Sequence, residues 1–238
     1  MERVVFSDGA RLGIAEMMAW FGVVRRGAGR GGAAVDVGEA VAEGLAGTPV
    51  VIAKASSGNL IVGTNSDDRL VGGNGNDTIY GGSGFDFING GSGEDVITGG
   101  SGDDRLYGGA GSDTYYFQGD SGSDAVREEG GANDRIVFGA GTGRENIWLF
   151  RSGDDLTISI LGAEAELVVE EQFSGTPSGR VESFELSDGS RLDWSNTNAL
   201  IHAMTAFGKP EDGLSGLSTQ DRESVQSALN AAWVTTSV

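Results

Sequence analysis

Between residues 63 and 116 the polar and apolar positions repeat every nine residues, six times over. Each unit opens on small and acidic residues and closes on a short run of β-formers. The units span residues 63–71, 72–80, 81–89, 90–98, 99–107 and 108–116, and their eighth places are Leu70, Ile79, Ile88, Ile97, Leu106 and Tyr115. Successive side chains of a strand point to opposite faces, so places seven to nine predict a three-residue strand with only the eighth side chain turned inward. Glycines at places one, two and four permit positive φ and close backbone approach, so the first six places predict a tight turn. Turn, strand, turn, strand completes a coil of eighteen residues, and such coils stack at about 4.8 Å. The fold class predicted is all-β, a solenoid with one apolar side chain per repeat in its core.

The pattern changes on either side of the repeats. Residues 50–53 and 60–62 read as strands that lead into the array, a cap coil over its N-terminal end. After Tyr116 two extra residues, Phe117 and Gln118, break the register, and residues 119–126 form a degraded seventh unit. From Asp134 the glycine period stops. Residues 135–138, 145–151, 156–161, 167–173 and 181–186 then read as ordinary strands, with turns at 152–155 and 162–165, an antiparallel β-rich flank. Leu200, Ala203, Met204 and Phe207 follow helical spacing. A second short helix starts at Ser218 as N-cap with Asp221 three residues on, and gathers Val225, Ala228, Leu229, Ala232 and Trp233 on one face.

One further repeat is long-range. Residues 2–12 recur at 182–192, where Glu2, Ser7, Asp8, Gly9, Arg11 and Leu12 match Glu182, Ser187, Asp188, Gly189, Arg191 and Leu192. Both copies read as strand, Asp-Gly turn, strand, the last hairpin of a module. The expected organisation is the end of a preceding module at 1–20, a flexible linker at 21–48, the cap and roll at 49–130, the β-rich flank at 131–197 and a helical end at 198–238. The chain would then be the C-terminal piece of a longer protein.

Five of the nonapeptides read Gly-Gly-x-Gly-x-Asp at places one to six, and the first, Gly63-Thr-Asn-Ser-Asp-Asp, is a softened copy. A flexible Gly/Asp linker would have no reason to keep an apolar eighth place. The motif resembles the RTX (repeats-in-toxin) family of haemolysin-type calcium-binding repeats, found in the C-terminal regions of type I secretion substrates. The resemblance implies a parallel β-roll with calcium held between turns on the same side. On an eighteen-residue coil Asp68, Asp86 and Asp104 share one edge and Asp77, Asp95 and Asp113 the other, with Asp124 a further candidate. Adjacent carboxylates sharing an ion give about four to five Ca2+ sites, and because each ion takes roughly six to eight oxygens the turn carbonyls must complete them. The resemblance assigns these to the second and fourth places: Gly73, Gly75, Gly82, Gly84, Gly91, Gly93, Gly100, Gly102, Gly109 and Gly111.

Charge agrees with a cation as partner. Against 35 acidic side chains stand 16 basic ones, a net charge of −19, which argues against nucleic acid and anionic membranes. No cysteine is present, so neither disulfides nor thiolate-held metals contribute. The N-terminus does not read as a secretory signal and no stretch reads as a membrane span. The amphipathic end, closing Thr-Thr-Ser-Val, resembles the uncleaved C-terminal signal of type I substrates, which implies export by that machinery and an extracellular or cell-surface location. No Gly-x-Ser-x-Gly elbow, HExxH helix or phosphate loop occurs. The one histidine, His202, falls on the predicted first terminal helix as a packing or surface residue. The chain is therefore not expected to be an enzyme, and any catalytic domain would lie upstream.

Outward places carry aromatics. Arg69, Phe87 and Arg105, spaced by eighteen, are expected to stack as a cation–π ladder worth about 0.5–1 kcal/mol per contact. Phe87, Tyr80, Tyr107 and Tyr116 are the candidate platforms should the roll bind a surface glycan. Three functions remain open at this point: a calcium-driven folding and secretion module, an adhesin-type carbohydrate- or cell-surface-binding module, and a passive structural spacer.

Overall fold

Two compact units divide the chain, Met1–Val37 and Gly38–Val238. The computed structural model describes residues 3–5, 11–13, 50–55, 58–119, 122–163, 165–175, 179–210 and 213–235. In the first unit β1 (Arg3–Val5) pairs antiparallel with β2 (Arg11–Gly13), Arg3 opposite Gly13 and Val5 opposite Arg11. The expectations for residues 14–47 and for the last three residues lie outside the described residues.

In the second unit, after β3 (Val50–Ala55) and β4 (Leu60–Val62), the period lays down β5 (Arg69–Asn74), β6 (Thr78–Ser83), β7 (Phe87–Ser92), β8 (Val96–Ser101) and β9 (Arg105–Gly111). Odd-numbered strands stack parallel in one sheet and even-numbered strands in a second. Register advances by one eighteen-residue coil: Leu70 lies opposite Ile88 and Ile88 opposite Leu106, while Ile61 lies opposite Ile79 and Ile79 opposite Ile97. The result is a parallel β-roll. Leu70, Ile79, Ile88, Ile97, Leu106 and Tyr115 are each 2% exposed or less. Burial of such a side chain contributes about 1.5–3 kcal/mol, so one residue per repeat carries most of the roll's apolar stabilisation.

Two details differ from the sequence reading. The strands β5 to β8 are six residues long rather than three, running from place seven through place three of the next unit. Alternation continues through the glycine pair, so the first-place glycines Gly72, Gly81, Gly90, Gly99 and Gly108 face inward and are buried. Positive φ occurs at the second and fourth places, as at Gly73 (108°) and Gly75 (100°), and not at the first. The first-place glycine answers a different need, which is space. A methyl on Gly90 would overlap the Asp95 carboxylate and come within 2.7 Å of the Gly108 carbonyl.

Stacking outlasts the glycine period. Next come β10 (Thr114–Phe117), β11 (Ser123–Arg127), β12 (Gly130–Gly131) and β13 (Arg135–Phe138). The turn absorbs the two extra residues, so β11 sets Val126 opposite Leu106 and β13 sets Ile136 opposite Tyr115. The flank then closes each sheet. β14 (Ile147–Ser152), β15 (Asp155–Ile160) and β16 (Ala165–Val169) form an antiparallel meander whose last strand lies parallel against β11. β16 stops short of the expected residue 173 because the chain turns there, with Glu171 at φ 56°. β17 (Ser183–Glu185) lies parallel against β13 and pairs antiparallel with β18 (Ser190–Asp193), which pairs with β19 (Val234–Thr235). In that hairpin Ser183 faces Asp193 and Glu185 faces Arg191, the register of β1 and β2 displaced by 180 residues.

Two helices complete the cap, α1 (Trp194–Thr205) and α2 (Thr219–Ala232). α1 buries Leu200, Ile201 and Met204 beside β14, where the Leu149 N–H donates to Met204 Sδ at 3.2 Å. α2 starts as its sequence signals, with Ser218 Oγ accepting from the Asp221 N–H at 3.2 Å, and buries Val225 and Leu229.

Candidate metal centres

The two turn edges of the roll each carry a row of carboxylates, and the backbone fixes how they line up. Each strand is preceded by its sixth-place aspartate, so in-register strands bring these residues into file. In every step the carboxylate of one coil accepts the backbone N–H of the residue in the coil before it. On one edge Asp68, Asp86 and Asp104 donate in turn to Asp86, Asp104 and Asp124, at 2.8, 2.8 and 3.0 Å. On the other, Asn59, Asp77, Asp95 and Asp113 donate to Asp77, Asp95, Asp113 and Asp134, at 2.6, 2.7, 2.8 and 2.7 Å. The second row ends on Glu182, whose Oε2 accepts from Asp134 at 2.7 Å.

These bonds use only one carboxylate oxygen of each aspartate. The second oxygen of Asp77, Asp86, Asp95, Asp104, Asp113 and Asp134 is buried without a hydrogen-bond partner, as is one oxygen of Asp68. A buried anion with an orphaned oxygen is costly unless a cation meets it. Burial first, then the like charges along the row, push Asp86 and Asp95 up to about 7. Asp104 and Asp113 rise to about 6 and Asp134 to about 7, again mainly through burial. Hard oxygen donors in file, carboxylate and carbonyl together, fit calcium. Among the described residues the arginine ion pairs lie elsewhere, at Arg127, Arg151 and Arg191.

Asp68, Asp77, Asp86, Asp95, Asp104 and Asp113 thus fall into the two files that the coil spacing predicts, and Asp124, twenty residues after Asp104, joins the first. The carbonyls of Gly73, Gly75, Gly82, Gly84, Gly91 and Gly93 lie between successive coils, so close to the glycine one coil on that no Cβ would fit there. Sequence reasoning missed Asn59, Asp134, Glu182 and the buried Glu128. The run Gly130-Gly-Ala-Asn-Asp134, a shortened turn outside the nine-residue period, was the signal for Asp134.

The outward face departs from the expected ladder. Arg69 does sit over Phe87, 4.4 Å from the ring centre, but Arg105 lies over Phe85 at 5.6 Å, and Tyr107 packs on Phe87 at 5.0 Å. Among the described residues Phe85 is the exposed aromatic at 46%, whereas Phe87, Tyr80, Tyr107 and Tyr116 are half-buried rather than open platforms. His202 is exposed on α1. Among the described residues no helix is long and apolar enough to cross a membrane.

Comparison with known proteins bears on the same residues. Residues 56–88, 80–115 and 89–126 match the family model of the RTX calcium-binding nonapeptide repeat. Residues 155–196 match that of the haemolysin-type calcium binding protein related domain. Among solved structures, the solution structure of the AlgE6R3 subunit from the Azotobacter vinelandii mannuronan C5-epimerase is similar at 24% identity. That match covers 57% of this chain and 81% of that one, with a TM-score of 0.23. No curated protein matches the chain significantly.

Proposed function

Because this chain carries RTX calcium-binding nonapeptide repeats at residues 56–126 and a haemolysin-type calcium-binding related domain at residues 155–196, we propose that it is a calcium-driven folding and secretion module of a larger exported protein. The observation that carries this reading is the two files of buried aspartates, in which Asp68, Asp77, Asp86, Asp95, Asp104, Asp113 and Asp134 each leave an oxygen unpaired. Asp68, Asp77, Asp86, Asp95, Asp104, Asp113 and Asp124 would hold the ions, with turn carbonyls completing each shell. Bound calcium supplies charge neutralisation. Six adjacent aspartate pairs occur among the described residues, since Asp124 and Asp134 each extend a row by one. The four to five sites expected from the repeats alone thus become up to about six, each pair offering too few oxygens for the roughly six to eight of calcium without the turns.

Without calcium the roll is unfavourable on three counts. Like charges about 5 Å apart repel by ~1 kcal/mol per contact even in water. Each nine-residue coil half gains one eighth-place side chain, about 1.5–3 kcal/mol, whereas ordering the backbone costs ~1–2 kcal/mol per residue. The metal-free repeats therefore stay disordered, the state a narrow export channel passes, and calcium outside the cell binds only the folded form, so that its binding energy becomes folding energy. The end hairpin supports the module reading. Glu182 closes the aspartate row, and the sequence copy of that hairpin at residues 2–12 carries Glu2 in the same place.

Circular dichroism tests this directly. The chain should give a coil-dominated spectrum in chelator and a β-rich one in millimolar calcium, with a cooperative transition. Equal β content in both conditions removes the mechanism.

A further inference from the structure

We propose that Asp113, Asp134 and Glu128 form a three-carboxylate calcium site at the capped end of one aspartate row, with Glu128 standing where interior turns present a glycine carbonyl. Interior turns share one arrangement. The space before Gly63, Gly72, Gly81 or Gly90 is bounded by the carboxylate of its own unit's aspartate and by the carbonyl of the first-place glycine one coil on. At Gly108 no glycine follows one coil on. Its place is taken by Glu128 Oε1 and the Tyr115 hydroxyl, beside Asp113 Oδ2. One carboxylate oxygen each from Asp113, Glu128 and Asp134 lie within 4.8 Å of one another.

The three side chains are 0%, 4% and 0% exposed, and Asp113 Oδ2, Glu128 Oε2 and Asp134 Oδ2 are buried with no hydrogen-bond partner. Glu128 is held in place: Tyr115, the one eighth-place residue with a polar tip, donates its hydroxyl to Glu128 Oε1. Three buried carboxylates that come within 4.8 Å of one another, each with an orphaned oxygen, call for a hard divalent cation. Interior pairs bring two carboxylates and this site brings three, so it should bind most tightly, because ligand charge count tunes calcium affinity. Its role is to lock the last coil to the flank. The proposal rests on the calcium reading of the roll.

The test uses the whole chain, calcium calorimetry, and terbium, a lanthanide that takes calcium's oxygen sites and emits when a nearby tyrosine is excited. Glu128→Gln keeps the shape and removes the charge. It leaves the Asp113–Asp134 pair, so the ion count should hold while the tightest event weakens by on the order of tenfold or more. Glu129→Gln, on the exposed neighbour beside Arg127, should change neither. Tyr115→Phe should lose most tyrosine-excited terbium emission from the tightest site. A Glu128→Gln chain whose tightest event keeps its affinity overturns the proposal while leaving the calcium reading intact. So does unchanged emission in Tyr115→Phe, which also decides the matter should Glu128→Gln fail to fold. A wild-type chain that takes up no calcium sinks both.

Discussion

A row aspartate serves its neighbours twice, and its position in the row sets how much its loss matters. Asp95 accepts the Asp77 N–H and belongs to two carboxylate pairs, with Asp77 and with Asp113. Asp124 accepts the Asp104 N–H and ends its row. Either alanine strands a buried N–H, a cost of about 1–3 kcal/mol, but only Asp95→Ala also breaks two shared sites. The calcium midpoint should move further for Asp95→Ala than for Asp124→Ala, and equal midpoints would contradict the pairing. The same carboxylates respond to protons. Asp86 and Asp95 sit near 7 in the metal-free fold against an ordinary 3.8. Such groups favour the folded state below about 3.8, and that contribution is lost as pH rises through 6 to 7. In chelator, acidifying from above pH 8 to about pH 4 should therefore raise β content. A spectrum indifferent to pH would show that the row is not what keeps the chain open.

At the scale of the element, one ladder position carries much of the stacking. Ile97 is fully buried between Ile79 and Tyr115. Ile97→Ala should cost about 2–5 kcal/mol, read as a rise in the calcium needed for half-folding, and no rise would mean that the core does not couple to the sites. The eighth-place ladder was legible because a period of nine leaves an apolar mark at every Leu and Ile. The extra strand length was not, since the next inward position is glycine and leaves no hydrophobic trace. Asp124 was legible inside a degraded copy of the motif. Glu128 was not, and Asp134 only through its shortened turn, because both enter after the period breaks and their partners are set by how the turn absorbs Phe117 and Gln118. The arginine ladder failed at Arg105 for a related reason: register fixes which Cα atoms face each other, while a long side chain chooses between Phe87 and Phe85.

Over the whole molecule the chain is strongly acidic, at −19, and its acids are sorted. Those in the two files are buried and aligned, whereas the acids paired with Arg127, Arg151 and Arg191 lie outside the files. Repulsion along the files falls when cations enter. The closed end is built differently: the meander and helices bury Trp148, Leu149, Leu156, Ile158, Leu200, Met204, Val225 and Leu229. The flank therefore buries more apolar side chains than the one per repeat that the roll provides.

That cap has a consequence for export as proposed above. Residues 198–238 are read as the address for the secretion machinery, and the same stretch supplies Leu200, Met204, Val225 and Leu229 to the packed end of the roll. An address written on the inner side of a latch is readable only while the latch is open. A chain folded in calcium beforehand should be refused by the exporter, while the same chain kept in chelator is accepted. Passage would then be one-way, because closing the latch outside erases the label that drew the chain through. Equal acceptance of both forms would show that the label lies elsewhere.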